Sequence, residues 1–262
     1  MRETPPWHRS TRQPRAAVKF EFYERPDSEN MILAALAMEK YHWLRPHLEL
    51  VPLKARSVLW EPGQAIEFVY FPTSGVVSFI SVMRDGVTVG VGMTGREGFI
   101  GTPVILGARE SPALRAIVQM DGRFFRIGSH LLWQILPQTP QLEQMLRHYV
   151  HAYATQVAQS AACNCLHQVP ERLARWLAMT RDRTESDLLP ITQEFLAQML
   201  GCRRSSVTSA IGGLQKAGVI RPGHGQVRIL DRKQLEKQAC ECYGIIKNAF
   251  RSDLDRRTHG SS

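Results

Sequence analysis

The chain has no cysteine before Cys163, and the five it carries are Cys163, Cys165, Cys202, Cys240 and Cys242. An odd number confined to the C-terminal part does not build the disulfide framework of a secreted domain. Long apolar runs are also missing. No stretch approaches the ~18 uninterrupted apolar residues of a membrane span, and the segment from Met1 to Arg15 is polar and rich in Pro and Arg, without an apolar signal core. The expectation is a cytoplasmic chain with no membrane partner. No nucleophile–base–acid order and no phosphate-loop motif is present, so catalysis is not expected.

Acidic residues are scarce in one place. The net charge of +9 over 262 residues is unevenly distributed. Residues 26–200 hold fifteen Lys/Arg and sixteen Asp/Glu, whereas residues 201–233 hold seven basic side chains (Arg203, Arg204, Lys216, Arg221, Arg228, Arg232, Lys233) against Asp231 alone. A basic excess packed into some thirty residues is what a phosphate-binding surface needs. A solvated basic face would look the same by charge, so the surrounding pattern decides.

The first thirty residues are rich in charge, Pro and Ser and read as an extension without a core. Apolar residues from Met31 to Leu44 recur at helical spacing, predicting one amphipathic helix ended by Pro46. From Leu50 to Ile127 short Val/Ile/Phe runs (Phe68–Phe71, Val76–Val82, Val87–Val91) alternate with turn residues, and Asp85-Gly86 between two such runs predicts a hairpin. This is the texture of a compact antiparallel roll or sandwich. After Pro137, residues Leu142, Met145/Leu146, Tyr149, Ala152/Tyr153, Gln156, Ser160 and Cys163/Asn164 recur at three- and four-residue steps, predicting one long helix with a narrow seam. The seam looks too long for one small roll to cover, so self-pairing through Leu142, Leu146, Tyr149, Tyr153, Gln156 and Ser160 is expected. A second apolar stripe follows over residues 169–177, with a polar loop from Asp182 to Asp187.

Residues 191–211 have the order of a helix-turn-helix. Thr192 can cap a first helix whose Phe195, Leu196 and Met199 or Leu200 face inward. The small Ala197 permits close approach of a second helix, Gly201 can take the left-handed conformation of a tight turn, and Val207 plugs the angle between the helices. Val207, Ala210, Ile211 and Leu214 then face inward, leaving Arg203, Arg204, Ser205, Ser206, Thr208 and Ser209 outside as groups able to reach bases and phosphates. Gly218 ends the helix, and residues 219–230, turning at Pro222-Gly223-His224-Gly225, read as a wing. A helical hairpin in an ordinary core explains the apolar spacing but not the exposed Arg/Ser/Thr face. The DNA-contacting set is therefore Thr192, Gln193, Arg203, Arg204, Ser205, Ser206, Thr208, Ser209, Lys216 and Arg228, with double-stranded DNA as partner.

Over about residues 31–242 the chain resembles the Crp/Fnr family of transcription regulators. The resemblance rests on the order of roll, long helix and winged helix-turn-helix, and on the segments VPERLARWL (169–177), LAQMLG (196–201) and LQKAGVI (214–220). It implies an α+β fold: a flexible extension over 1–30, a cyclic-nucleotide-binding-like antiparallel β-roll of jelly-roll type over 31–137, and a dimerisation helix over 138–168. A Crp-type winged helix-turn-helix over 169–242 and a C-terminal tail over 243–262 complete the plan. It also implies a homodimer reading a near-palindromic site with half-sites one helical turn apart, and RNA polymerase as a further partner. Arg204 sits where such proteins commonly place a base-reading Arg. Ser205 and Ser209 replace the acidic and basic readers of the best-known members, so the target sequence does not carry over.

In members of that family that bind cyclic nucleotides, a glycine-rich turn and an Arg followed by Ser or Thr hold the phosphate, and a Glu holds the ribose. Here Gly95 to Gly101 resembles the turn, with Arg96, Glu97, Gly98 and the later Arg115 as candidate effector contacts. The segment from Ser111 to Ala116 lacks the Arg-Ser/Thr pair, Pro112 removes a donor, and Val157 and Ala158 stand where hydroxyls are usual. Control by cyclic AMP is not expected, no cofactor is expected to be required, and another nucleotide effector stays open. An iron–sulfur cluster is not expected without N-terminal cysteines. Cys163 and Cys165 fall two apart in a helix and so point to opposite sides, and Cys240 and Cys242 have the same spacing, so no metal site is expected. The alternatives are a redox- or metal-responsive sensor using Cys163, Cys165 and His167, and a DNA-binding protein without an effector.

Overall fold

The computed structural model describes residues 30–111 and 113–259, with side chains up to residue 252. Residues 1–29 and Pro112 lie outside the described residues, and with them the expected extension and the missing donor. The expected boundary at residue 30 cuts through a structural residue. Asn30 is fully buried: its Oδ1 caps α1 (Met31–Ala34), and its Nδ2 donates to the carbonyls of Pro72, Arg96 and Gly98. The expected single helix over residues 31–44 is two, α1 and α2 (Met38–Leu44). Their break at Ala35–Ala37 turns Ile32, Leu33, Leu36, Tyr41 and Leu44 all onto the roll. Pro46 falls inside a following 3-10 turn, Arg45–His47.

Seven strands form two antiparallel sheets, as the alternating apolar runs require. One sheet has the order β1 (Glu49–Leu53), β7 (Gly122–Gly128), β3 (Phe68–Pro72), and the other β2 (Val58–Trp60), β6 (Leu114–Met120), β4 (Val76–Val82), β5 (Thr88–Thr94). The hairpin of β4 and β5 turns at Asp85-Gly86, where Gly86 has φ +84°. Between the sheets Val69, Phe71, Val76, Phe99 and Phe124 are almost fully buried, with the rings of Phe71 and Phe99 stacked at 6.0 Å. Short helices α3 (Thr102–Ile105) and α4 (Ser129–Ile135) close the ends.

The 27-residue helix α5 (Pro140–Leu166) then runs for about 40 Å. Helix α6 (Val169–Thr184) is longer than expected and takes in residues 182–184, ending at Glu185 in the left-handed conformation. The remainder is β8 (Leu188–Leu189), α7 (Gln193–Leu200), α8 (Arg204–Lys216), β9 (Ile220–Gly223), β10 (Gln226–Ile229), α9 (Arg232–Gln238) and α10 (Cys242–His259). The segment expected to be a tail is thus a helix. Its Cys242, Tyr243, Ile246 and Phe250 are buried at helical spacing, and it lies back along α5, with Cys242 beside Gln159 and Phe250 beside Tyr149. No helix among the described residues is long and apolar enough to cross a membrane.

This placement changes the reading of α5. Leu142, Leu146, Tyr149, Tyr153, Gln156 and Ser160, expected to be open to a second copy, are all buried within the single chain. The roll covers part of that seam, as where Tyr149 Oη meets Thr94 Oγ1 at 2.6 Å and Gln156 Nε2 donates to the Met93 carbonyl. Helix α10, absent from the expectation, covers more of it.

Candidate nucleic-acid interface

Helix α7 begins where Thr192 Oγ1 accepts from the Phe195 amide at 3.1 Å. It ends at Gly201, whose φ of 56° and ψ of 43° are left-handed, a conformation in which a Cβ meets the carbonyl oxygen. The turn delivers α8 across α7. Val207, Ala210, Ile211 and Leu214 are buried between the helices, while Arg203, Arg204, Ser205, Thr208, Ser209 and Lys216 are exposed and Ser206 is half-buried. Thr192 and Gln193 are half-buried at the start of α7. The Thr208 hydroxyl bridges Gln193 Oε1 (2.8 Å) and the Arg204 carbonyl (3.0 Å). Gln193 is thereby steadied by its oxygen and keeps its amide nitrogen as a donor.

The wing is β9 and β10, with β8 beside β10. Arg221 and Arg228 are directly opposed across it, and both are exposed. Like charges in that relation are unfavourable without a counter-anion. Among the described residues, none of Arg203, Arg204, Lys216, Arg221 and Arg228 forms an ion pair. Exposed and without ion pairs, they make α8 and the adjoining wing cationic.

Arg172 on α6 anchors this unit. Its guanidinium donates to the carbonyl of Leu200, the last residue of α7, and at 2.8 Å to Asn164 Oδ1 on α5. Gly201 also abuts the roll: a Cβ there would lie 2.9 Å from Val89 Cγ2 of β5. The long helix, the roll and the turn between α7 and α8 are in direct contact.

Residues 171–238 match the family model of the Crp-like helix-turn-helix domain. Beyond that domain, the chain is similar to transcription regulators. It is 24% identical over 206 residues to the transcriptional regulator SdrP of Thermus thermophilus, covering 73% of this chain and 94% of that protein. It is equally 24% identical, over 219 residues, to a probable transcriptional activator of Rhizobium leguminosarum bv. viciae, covering 79% of this chain and 88% of that one. In fold it is similar to FixK2 from Bradyrhizobium japonicum, with a TM-score of 0.63 at 16% identity over 74% of this chain and 98% of that one. Residues 171–238 are thus a Crp-like helix-turn-helix domain, a DNA-binding unit joined here to a roll and a long helix.

The candidate effector residues each hold a partner within the chain. Arg96 pairs with Glu185 at 2.9 Å and Arg115 with Glu61 at 2.7 Å. Glu97 is 2.8 Å from Arg183 of α6, the two side chains being only 11% and 6% exposed. Its carboxylate also accepts the Gly95 amide at 3.0 Å. Arg183 further donates to Gln156 Oε1 (3.0 Å) and lies over the ring of Phe250. Gly98 packs so tightly on the Tyr149 ring that a Cβ would overlap it. The glycine-rich turn is therefore occupied by Arg183 and Tyr149 of its own chain, a use that the reading of Asp182 to Asp187 as a loop had hidden.

The cysteines separate differently from their spacing. Cys163 is buried and Cys165 exposed, as two positions apart on a helix require. Cys240 and Cys242, however, converge, because Cys240 precedes α10 in extended chain after Ala239 (ψ 147°) and the helical rule does not apply to it. Cys163, Cys240 and Cys242 form one buried cluster.

Proposed function

We propose that this protein regulates transcription, without catalysing a reaction, by binding a near-palindromic DNA site as a homodimer that sets α8 of each protomer in successive major grooves. The observation that carries this reading is that α8 exposes Arg204, Ser205 and Ser209 while the adjoining wing exposes the opposed Arg221 and Arg228, with none of these arginines ion-paired among the described residues. Arg204, at the first turn of α8, reads a base edge. Arg203, Lys216 and Arg228 hold phosphates.

Helix pairing uses the face of α5 that the chain leaves open. Arg147, His151, Ala154, Ala158, Ala161 and Cys165 are exposed and follow one another at alternating steps of four and three, the spacing of a two-stranded coiled coil. The small residues at its centre let two helices approach closely. In a parallel pair the two Cys165 thiols face each other. The roll acts without cyclic AMP: the missing Arg-Ser/Thr pair, and the occupation of the glycine-rich turn by Arg183, support an effector-independent protein or one whose ligand must displace Arg183.

The test is binding of the purified chain to DNA fragments selected from a random pool, at several salt concentrations, together with light scattering and Cys165 cross-linking without DNA. The expected result is a dimer that cross-links through Cys165 and enriches a two-fold symmetric sequence, with affinity falling steeply as salt rises. Equal affinity for all sequences, or a monomer at micromolar concentration, contradicts the reading.

A further inference from the structure

The C-terminal end of α5 and the start of α10 bring together four side chains that DNA binding does not use. Cys163, His167, Cys240 and Cys242 place their Sγ and ring nitrogen atoms all within 4.8 Å of one another. Cys163 Sγ is 3.4 Å from Cys240 Sγ, and Cys242 Sγ is 3.5 Å from His167 Nδ1. Thiolates bound to zinc at about 2.3 Å in a tetrahedron lie about 3.8 Å apart, so these spacings already approach those of ligands around one ion. We propose that Cys163, His167, Cys240 and Cys242 form a Cys3His site that binds a single zinc ion and fastens α10 to α5.

The surroundings have the features such a site needs. His167 Nε2 is 3.0 Å from the Glu241 carboxylate, which orients the ring and leaves Nδ1 turned to the thiols, the usual arrangement of a carboxylate behind a zinc-bound histidine. Gln159 Nε2 donates to Cys242 Sγ at 3.2 Å, a bond that favours a thiolate. Three thiolates and a neutral imidazole around Zn(II) carry one net negative charge, and the buried guanidinium of Arg175 is near enough to act on Cys163 through its charge. Binding exchanges the ion for the protons of the three thiols: Zn(II), three thiols and the imidazole give the complex and three released protons. Soft sulfur donors with one imidazole in a tetrahedron select zinc among the common divalent ions.

Cys163 and Cys240 are 77 positions apart. The ion would therefore join the long helix to the segment just beyond the winged domain, at the point where α10 starts its return along α5. Cys165 and Cys202 have no part in the site.

The test uses the full chain, purified reduced under argon. Elemental analysis is expected to find one zinc per chain that survives a weak chelator. Titration of the zinc-free chain with Co(II) is expected to give the intense visible absorption of tetrahedral cobalt together with a thiolate-to-cobalt charge-transfer band. Three of the five thiols should react slowly with a thiol reagent until a strong chelator is added. Cys165→Ser and Cys202→Ser should retain full binding, Cys240→Ser and His167→Gln should lose it, and Glu241→Gln should weaken it by on the order of 10–100-fold. Because the cobalt spectrum is read on the unaltered chain, the proposal stays open to refutation even if a ligand variant fails to fold. A reduced chain that gives no tetrahedral cobalt spectrum, that holds iron instead of zinc, or whose Cys163 and Cys240 form a disulfide while zinc is not retained, overturns the site. DNA binding can survive any of these outcomes.

Discussion

The cations of the junction between roll and α6 and those of α8 and the wing are of the same residue type and are treated in opposite ways. At the junction, Arg183 is buried against Glu97, Gln156 and Phe250, and Arg96 is paired with Glu185. In the winged domain, Arg204, Arg221 and Arg228 stand exposed, and the sequence from Cys202 to Leu230 contains no carboxylate at all. A cation taken out of water needs a partner inside the chain, so its partner contributes to the fold. One left in water opposite another cation adds nothing to the fold and is available for a phosphate. Substitutions in the two regions should therefore show up in different measurements.

The largest effect is expected at the junction. Glu97→Gln leaves Arg183 buried without its counter-charge, and breaking such a pair costs about 3–5 kcal/mol. The hydrogen bonds from Arg183 to Gln156 and to the Met179 carbonyl remain, which places the expected loss near the lower end. Denaturant unfolding of the variant checks it, and an unchanged midpoint would break the comparison.

Gly201→Ala comes next, because it forces a Cβ into left-handed backbone and to 2.9 Å from Val89 Cγ2. A loss of about 1–2 kcal/mol is expected from the backbone alone, seen as a lower melting temperature. Since Gly201 sits between α7 and the roll, the position of α8 and hence DNA affinity should fall with it. Arg228→Ala is expected to do the reverse: it leaves the melting temperature unchanged or slightly raised by relieving Arg221. It weakens binding to all DNA sequences alike, and lowers the slope of log affinity against log salt by about 1.8, because each of the two protomers neutralises one phosphate fewer.

How much of this was legible in the chain depends on the range of the interactions. The helix-turn-helix is local: Thr192, Ala197, Gly201 and Val207 each act within a few residues, and each occupies the place its chemistry suggested. The roll was legible as alternating strands, and the hairpin from Asp85-Gly86. Whatever depended on distant partners was not. The α5 seam could be read as apolar, but a sequence pattern does not say what covers it; the cover is the roll together with α10. Helix α10 did carry a signal, since Cys242, Tyr243, Ile246 and Phe250 recur at helical steps, but the family resemblance ends near residue 242 and implies only a tail beyond it. The pairing of Arg183 with Glu97 spans 86 positions of the chain and leaves no local mark. The cysteine cluster was obscured by a rule valid only inside helices: Cys240 lies outside one, and its partner Cys163 lies 77 positions away.

Base reading by Arg204 is tested most directly by a titration of Arg204→Ala against the selected site and its single-base variants. A bidentate Arg–guanine contact discriminates by about 1–3 kcal/mol. The variant should therefore lose preference at one symmetric position in each half-site, by roughly 5- to 150-fold, while its melting temperature and its binding to unrelated DNA change little. If Arg204→Ala instead lowers affinity by the same factor for every sequence, Arg204 holds a phosphate and the assignment of base reading to the first turn of α8 is contradicted.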